Sequence, residues 1–377
     1  RTVNTWVPAT YERPMYDFVV VGAGPAGSRF SRRAAERGYD VLALERGAVG
    51  EPLACSGHVS TDIWEFTPEG ARDRLLQNEV YGARFHVGGP DSDDYPFYKR
   101  EVVSNVIDRV GLDRELAAAA RDAGAQVREN HSVQAVDEQS DRVEVTASTP
   151  DGTETFAARM VAGCDGPVSR VRSELGLPDP GEKLQGVLAF SEEDDPGDFV
   201  DVHLTAPQFF AWRIPRGESG VEYGLAAPPG SDPSATDLFA EFTDDYDVET
   251  AEFCAGMIPV GPPETVTSRR GFLLGDAAAQ TKPFTGGGIL YGMTAADHAA
   301  REIDPERPAT LRDYEDAWRD ELATEIRLGH WIRKCYSLPE RVQHAGLSAF
   351  SGEIGVHMDK PTSFFSTEHL KKLLSRP

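Results

Sequence analysis

Residues 16–46, YDFVVVGAGPAGSRFSRRAAERGYDVLALER, constrain the fold more than any other stretch. Their pattern predicts a buried strand over 17–21, a glycine turn, a helix over about 25–37 and a second strand over 40–44. Gly22, Gly24 and Gly27 fill G-x-G-x-x-G. The first glycine permits a tight turn, the second lets a pyrophosphate approach the backbone, and the third lets helix and strand pack closely. The helix start at Ala26 presents free N–H groups and a partial positive charge to phosphates. Glu45, followed by Arg46, ends the second strand at the spacing of an acid that binds a ribose hydroxyl. The glycines alone are a weak signal; strand, turn, helix, strand and acid in series are a strong one.

At 377 residues, 40% of them hydrophobic, the chain suits about two or three lobes around a sizeable core. Its 62 acids against 38 bases give a net charge of −24, and only seven of those bases are lysine. The acids are spread along the chain, as on a surface adapted to a salt-rich cytoplasm of the haloarchaeal kind. Nucleic acid is excluded as a partner, because no basic stripe offsets phosphate charge. Cys55, Cys164, Cys254 and Cys335 form no C-x-x-C pair and have no clustered histidines, so no metal site is expected. Whether Cys254 and Cys335 pair is open, with free thiols favoured. No run approaches the length of a membrane span. Residues 1–15 read as an irregular leader. Stability is expected to require salt. Self-repulsion falls as the Debye length shrinks from about 10 Å at 0.1 M to about 3 Å at 1 M. The melting temperature should therefore rise through the molar range of KCl; a flat profile would contradict a halophilic surface.

Further along, 47–60 is a glycine-rich loop carrying Cys55, and 61–99 is less regular, with a strand-like 80–87. Arg109 precedes a helix at 112–123. Strands follow at 133–136, 142–148 and 155–157, then a separate strand at 159–163 that runs into Asp165-Gly166. Residues 185–190, 200–204, 209–214 and 221–225 read as a second sheet walling a pocket, and 237–245 as a helix. A short strand at 272–274 leads into Gly275-Asp276, and a helix starts after Gly286-Gly287-Gly288, at Ile289. A long amphipathic helix spans 311–338, and the tail 340–377 is helical in pieces.

An acid at a strand end, as at Asp276, can bind a ribityl hydroxyl. Three glycines before a helix let a flat ring lie against bare N–H groups whose dipole stabilises negative charge on it. The plainer reading of Gly286–Gly288 is a hinge between lobes. Taken in order, G-x-G-x-x-G, Asp165-Gly166 and Gly275-Asp276 resemble the FAD-dependent reductases and monooxygenases of the p-hydroxybenzoate hydroxylase fold. Arg109 falls where that group often places an arginine near the FAD phosphates or ribose. The resemblance implies an α/β (α+β) architecture: a Rossmann-like FAD-binding domain (16–182 and 269–304), a β-sheet substrate domain (183–268) and a C-terminal helical region (305–377). It specifies FAD, not a reaction.

The run 207–215, PQFFAWRIP, is similar to the P-x-x-Y-x-W-x-F-P motif of geranylgeranyl reductases. Phe210 stands for Tyr and Ile214 for Phe; Trp212 and Pro215 match. Ala54-Cys55-Ser56-Gly57 resembles the loop that brings a cysteine near the flavin in that family, and the helix with Trp318, Trp331 and Cys335 looks like theirs. Within the family the chain resembles the archaeal digeranylgeranylglycerophospholipid reductases. A flavin monooxygenase or halogenase of the same fold is the alternative, since the run is one residue from W-x-W-x-I-P.

The resemblance implies saturation of isolated double bonds in geranylgeranyl lipids by reduced FAD. Phe210, Trp212 and Pro215 would hold the substrate, and Gly286–Ile289 would stabilise the flavin's negative charge. Such an alkene needs a proton delivered to one carbon as hydride reaches the other. Cys55 is the candidate donor, set against a packing role, and His58 is the second. Lys282 is read as solvent-facing, with support of an anionic flavin as its other reading. The electron donor stays open between NADPH and ferredoxin. The expected location is cytoplasmic, with peripheral contact at the inner face of the membrane through an apolar face in the C-terminal region.

Overall fold

The computed structural model describes residues 15–53, 55–353, 359, 360 and 362. Apart from Met15, the expected leader lies outside the described residues, as do Ala54 and most of the tail past 353.

The first sheet is built on Met15–Val21, parallel to Val41–Leu44 on one side and to Gly152–Gly163 on the other. Gln126–Arg128 extends it beyond Val41–Leu44, and Gly271–Leu273 lies parallel to the end of Gly152–Gly163. Val19 and Val20 are fully buried. Layers on both faces explain the unbroken apolar run, where a one-sided sheet would show alternation. The helix Pro25–Glu36 packs beside Ile289–Glu302. Their approach depends on small residues: a Cβ on Gly292 would lie 2.9 Å from the Gly275 Cα and 3.3 Å from the Ala26 Cβ. The helix Leu311–Lys334 covers this layer with the buried Tyr314 and Trp318.

The strands expected at 155–157 and 159–163 are one twelve-residue strand, Gly152–Gly163. Arg159 does not interrupt it, because the side chain turns out to Asp17 at 3.1 Å. The first half pairs antiparallel with Val143–Thr149 while the second half joins the parallel core. The helix expected from 112 begins at Arg109, because Asp108 caps it by accepting from the Gly111 N–H at 2.9 Å.

The second sheet has seven strands, in the order Ala251–Val260, Glu182–Ser191, Val221–Ala227, Ala211–Pro215, Phe199–His203, Gly82–His86 and Asp94–Tyr98. Its last two strands come from within 16–182, so this sheet draws on more of the chain than 183–268. The expected strand at 80–87 is two pieces: Leu76–Val80 joins His58–Ser60 and Ser104–Ile107 in a small third sheet, and Gly82–His86 joins the large one. Strand alternation sorts the side chains. Val200, Val202, Trp212 and Ile214 face the interior cavity. On the other face Asp201 pairs with Arg84 at 2.7 Å and with Arg213 at 3.7 Å.

Candidate active site

A cavity of about 990 Å³ runs between the two large sheets. At one end it is lined by Gly24, Pro25, Ala26, Glu45 and Arg46. The three fingerprint glycines do different work there. A Cβ on Gly22, whose φ is +98°, would lie 2.4 Å from the Cys164 carbonyl oxygen, and one on Gly27 would lie 2.0 Å from the Gly22 carbonyl oxygen. Both are fixed by chain packing against chain. A Cβ on Gly24 would meet no protein atom within 4 Å. The space it would enter is open cavity, with room for a group to approach the backbone. The Glu45 carboxylate is oriented beside this space, accepting from the Ala23 N–H at 2.8 Å and the Arg46 N–H at 2.9 Å.

Further in, Gly275, Asp276, Gly286, Gly287, Gly288 and Ile289 line the same cavity, together with Gly166, Arg109 and Cys55. Arg109 is buried, pairs with Asp113 at 2.6 Å, and leaves its Nε without a hydrogen-bond partner among the described residues. Thr285 Oγ1, also buried against the cavity, has none either. Burial pushes the Asp276 carboxyl up to about 6, with Arg109 pulling the other way. Orphaned donors, an open glycine cradle and a buried acid fit FAD, whose phosphates and ribityl hydroxyls can use these groups.

Burial also pushes the Cys55 thiol up, against the opposing pull of the Arg109 guanidinium beside it. His58 bonds through Nε2 to Ser104 Oγ at 2.7 Å, and burial with the nearby Lys282 charge pushes it down to about 4. Lys282 does not face solvent. It is 5% exposed, its Nζ is 2.6 Å from Asp359 Oδ1, and it lies against Gly287, where a Cβ would be 3.2 Å from that Nζ. The four cysteines are free thiols, Cys254 and Cys335 included.

Beyond Cys55 the walls turn apolar: Phe85, Phe97, Val200, Val202, Phe210, Trp212, Ile214, Ile258 and Tyr336. The phenyl rings of Phe209 and Phe210 stack at 4.3 Å, and Tyr336 meets Phe210 edge-on at 5.6 Å. The cavity reaches the helix Glu340–Phe350, where Val342, Leu347 and Phe350 line it.

Asp165, Pro215 and Gly57, expected as site residues, do not line the cavity. The Asp165 carboxylate caps the short helix Arg170–Glu174, accepting from Ser169 Oγ at 2.6 Å and from the N–H groups of Arg170 and Val171 at 2.7 and 3.1 Å; Gly166 is the cavity-lining half of that pair. Pro215 follows Ile214 on the strand and so turns to the opposite face; the wall positions are 210, 212 and 214. Gly57 likewise acts through packing, since its Cβ would lie 2.2 Å from the Ile107 carbonyl oxygen. Sequence reasoning missed Asp113, whose i,i+4 spacing from Arg109 was a usable signal, and it missed Glu222 and Arg216, which carried none.

Residues 15–228 match the family model described as FAD binding domain. Digeranylgeranylglycerophospholipid reductase 2 of Methanopyrus kandleri is 31% identical over 354 residues, covering 85% of this chain and 87% of the relative. The reductase of the same name from Methanosarcina acetivorans is 29% identical, covering 86% and 85%. Among solved structures, a geranylgeranyl bacteriochlorophyll reductase-like protein from Thermoplasma acidophilum superposes with a TM-score of 0.82 over 96% of each chain at 22% identity. A flavin-dependent halogenase superposes with a TM-score of 0.66 at 19% identity, covering 96% of this chain and 76% of its own. Likeness at that level of identity speaks to the fold alone, and both rivals share it; the sequence relatives discriminate. The chain belongs to the FAD-binding flavoproteins and, within them, to the digeranylgeranylglycerophospholipid reductase family.

Proposed function

We propose that this FAD-dependent oxidoreductase saturates isolated double bonds in the geranylgeranyl chains of membrane-lipid precursors. The observation that carries the reading is the continuity of one cavity, from the glycine cradle through Cys55 to an aromatic and aliphatic channel. Bound and reduced, FAD supplies the hydride. The chain supplies the rest. Gly24, Ala26, Glu45 and Arg46 hold the adenosine and pyrophosphate end; Arg109, Asp276 and Gly286–Ile289 hold the ribityl and ring end. Phe210, Trp212 and Ile214 exclude water and lay the prenyl chain along the channel. Cys55 carries the proton. Its raised pKa keeps it a thiol at neutral pH, whereas His58, pushed down to about 4, is an uncharged imidazole there. Anaerobic incubation of the reduced protein with a geranylgeranyl glycerophospholipid, followed by mass spectrometry, should show one H₂ gained per double bond. Incorporation of oxygen or halide on exposure to air and halide, with no H₂ gained, would replace the reading.

The substrate chain must leave a bilayer, and no helix among the described residues is long and apolar enough to cross one. Peripheral docking is assigned to the cavity mouth. Leu338, Val342 and Phe350 line that mouth and are exposed, at 42%, 49% and 41%, and Trp331 on the preceding helix is 67% exposed. Within residues 326–350 the bases Arg327, Lys334 and Arg341 accompany a single acid, Glu340, in a chain whose net charge is −24, while the fourth base, Arg333, is buried against Glu182. Exposed apolar side chains flanked by these bases suit an anionic headgroup layer. Trp331→Ser with Phe350→Ser should cut co-sedimentation with anionic vesicles several-fold while FAD content stays unchanged; equal binding by the variant would move the docking face elsewhere.

A further inference from the structure

Glu222 is a buried charge that the mechanism above does not use. It lies on the strand Val221–Ala227 with no solvent exposure. One carboxylate oxygen accepts from Trp212 Nε1 at 2.9 Å, and the other accepts from Arg216 Nη1 at 3.1 Å. Arg216 is itself 7% exposed and lies over the Phe190 ring at 4.8 Å. Burying such a pair is costly, and an apolar replacement of similar volume is often as stable. Stability alone therefore gives little reason for the pair, and its position matters more.

The geometry around the pair supplies a role. The Trp212 indole lies on bare backbone at Gly224, where a Cβ would come within 2.2 Å of the ring. With one face set by Gly224 and the N–H fixed by Glu222, the indole has a single placement in the cavity wall. On the other side, Arg216 Nη1 reaches the Cys55 loop and would lie 3.5 Å from a Cβ on Gly57. That loop is tied from beneath as well, since the Ile107 N–H donates to the Gly57 carbonyl at 3.0 Å. A chain of three buried groups thus links the channel wall to the loop that carries the thiol.

We propose that Glu222 and Arg216 are positioning residues that lock the Trp212 indole and the Cys55–Gly57 loop in one fixed relation, so that the channel delivers an alkene carbon to the thiol. The consequence for substrate rests on the reductase reading; the lock itself does not. The charge of Glu222 also contributes to raising the Cys55 thiol, which agrees with their proximity.

The test separates the two. FAD-loaded wild type, Glu222→Gln, Arg216→Gln, the double variant and Trp212→Phe are alkylated with iodoacetamide, and labelling is read peptide by peptide. Cys164, under the dinucleotide turn, is the internal control for general loosening. Glu222→Gln and Arg216→Gln should each speed Cys55 labelling by roughly tenfold, within the range of coupling expected for contacting residues, and leave Cys164 unchanged. The double variant, with complementary amides, should return toward wild type. Trp212→Phe, which removes only the N–H donor and some ring area, keeps the Glu222–Arg216 pair and should leave Cys55 labelling near wild type. In single-turnover oxidation by geranylgeranyl lipid, Glu222→Gln and Trp212→Phe should both be slow, and combining them should cost little more than either alone. Unchanged Cys55 labelling in both single variants, or parallel gains at Cys164, overturns the lock. Faster Cys55 labelling with no lipid turnover in any protein, wild type included, leaves the lock standing and overturns the reductase reading.

Discussion

Gly24→Val is expected to yield a folded protein that carries no FAD. The backbone at Gly24 has φ −70°, a value open to any residue, and a Cβ there meets nothing of the protein. Folding alone therefore gives no reason for glycine at this position. Two neighbours provide the contrast: at Gly22 and Gly27 a Cβ would drive into backbone carbonyl oxygens at 2.4 and 2.0 Å, so substitution there breaks the turn itself. At Gly24 the valine branches instead fill the approach of the pyrophosphate to the helix N-terminus, where its charge would meet the free N–H groups of the Pro25–Glu36 helix. The measurement is the ratio of visible flavin absorbance to protein, alongside far-ultraviolet circular dichroism against wild-type apoprotein. Gly27→Val should fail both. Full flavin in Gly24→Val would sink the assignment of the cradle.

The same contrast shows how much of the molecule was legible beforehand. G-x-G-x-x-G names three glycines for three jobs, and the jobs follow from local chain geometry, so the turn, its helix and the acid at Glu45 could be placed without a structure. Asp165 shows where local reading stops. Its place after a strand is visible, but whether the carboxylate meets a cofactor or a helix end depends on Ser169–Val171 folding back onto it. The strand Ala251–Val260 was invisible because only its last two residues are buried and it contains glycine and proline; pairing with Glu182–Ser191 makes it a strand, and that is tertiary information. Lys282 was misread for the same reason. A lysine in a glycine-rich loop is ordinarily solvated, and only the arrival of Asp359, 77 residues later, makes burial affordable. Phe210 and Trp212 could be placed on one face, since period-two alternation is local; the same rule puts Ile214, and not Pro215, beside them in the cavity wall.

Cys55→Ala should keep FAD and lipid binding and slow alkene reduction by about 10²-fold or more, the usual scale for a lost general acid. The thiol lines the cavity between the Arg109 guanidinium and the apolar channel, a place from which a proton can be handed to carbon. Burial raises its pKa, so the protonated form that must donate persists across neutral pH; Arg109 opposes this shift without cancelling it. The sign of the pH dependence follows. The proton is present below the thiol pKa, so the single-turnover rate should hold on the acid side and fall as pH climbs through that value. In Cys55→Ala the slow residual rate should lose that alkaline limb. Cys55→Ser keeps the size and a donor, but an alcohol is a far weaker acid and should recover little. His58→Ala is the complementary control: an imidazole held neutral by burial and by Lys282 has no imidazolium proton to give, so its loss should cost much less than that of Cys55. The decisive assay is anaerobic single-turnover oxidation of the reduced flavin by geranylgeranyl lipid, which isolates the hydride and proton steps from the electron donor. Near-normal rates in Cys55→Ala, with the alkaline limb intact, would remove the thiol from the reaction and leave it a packing residue of the cavity.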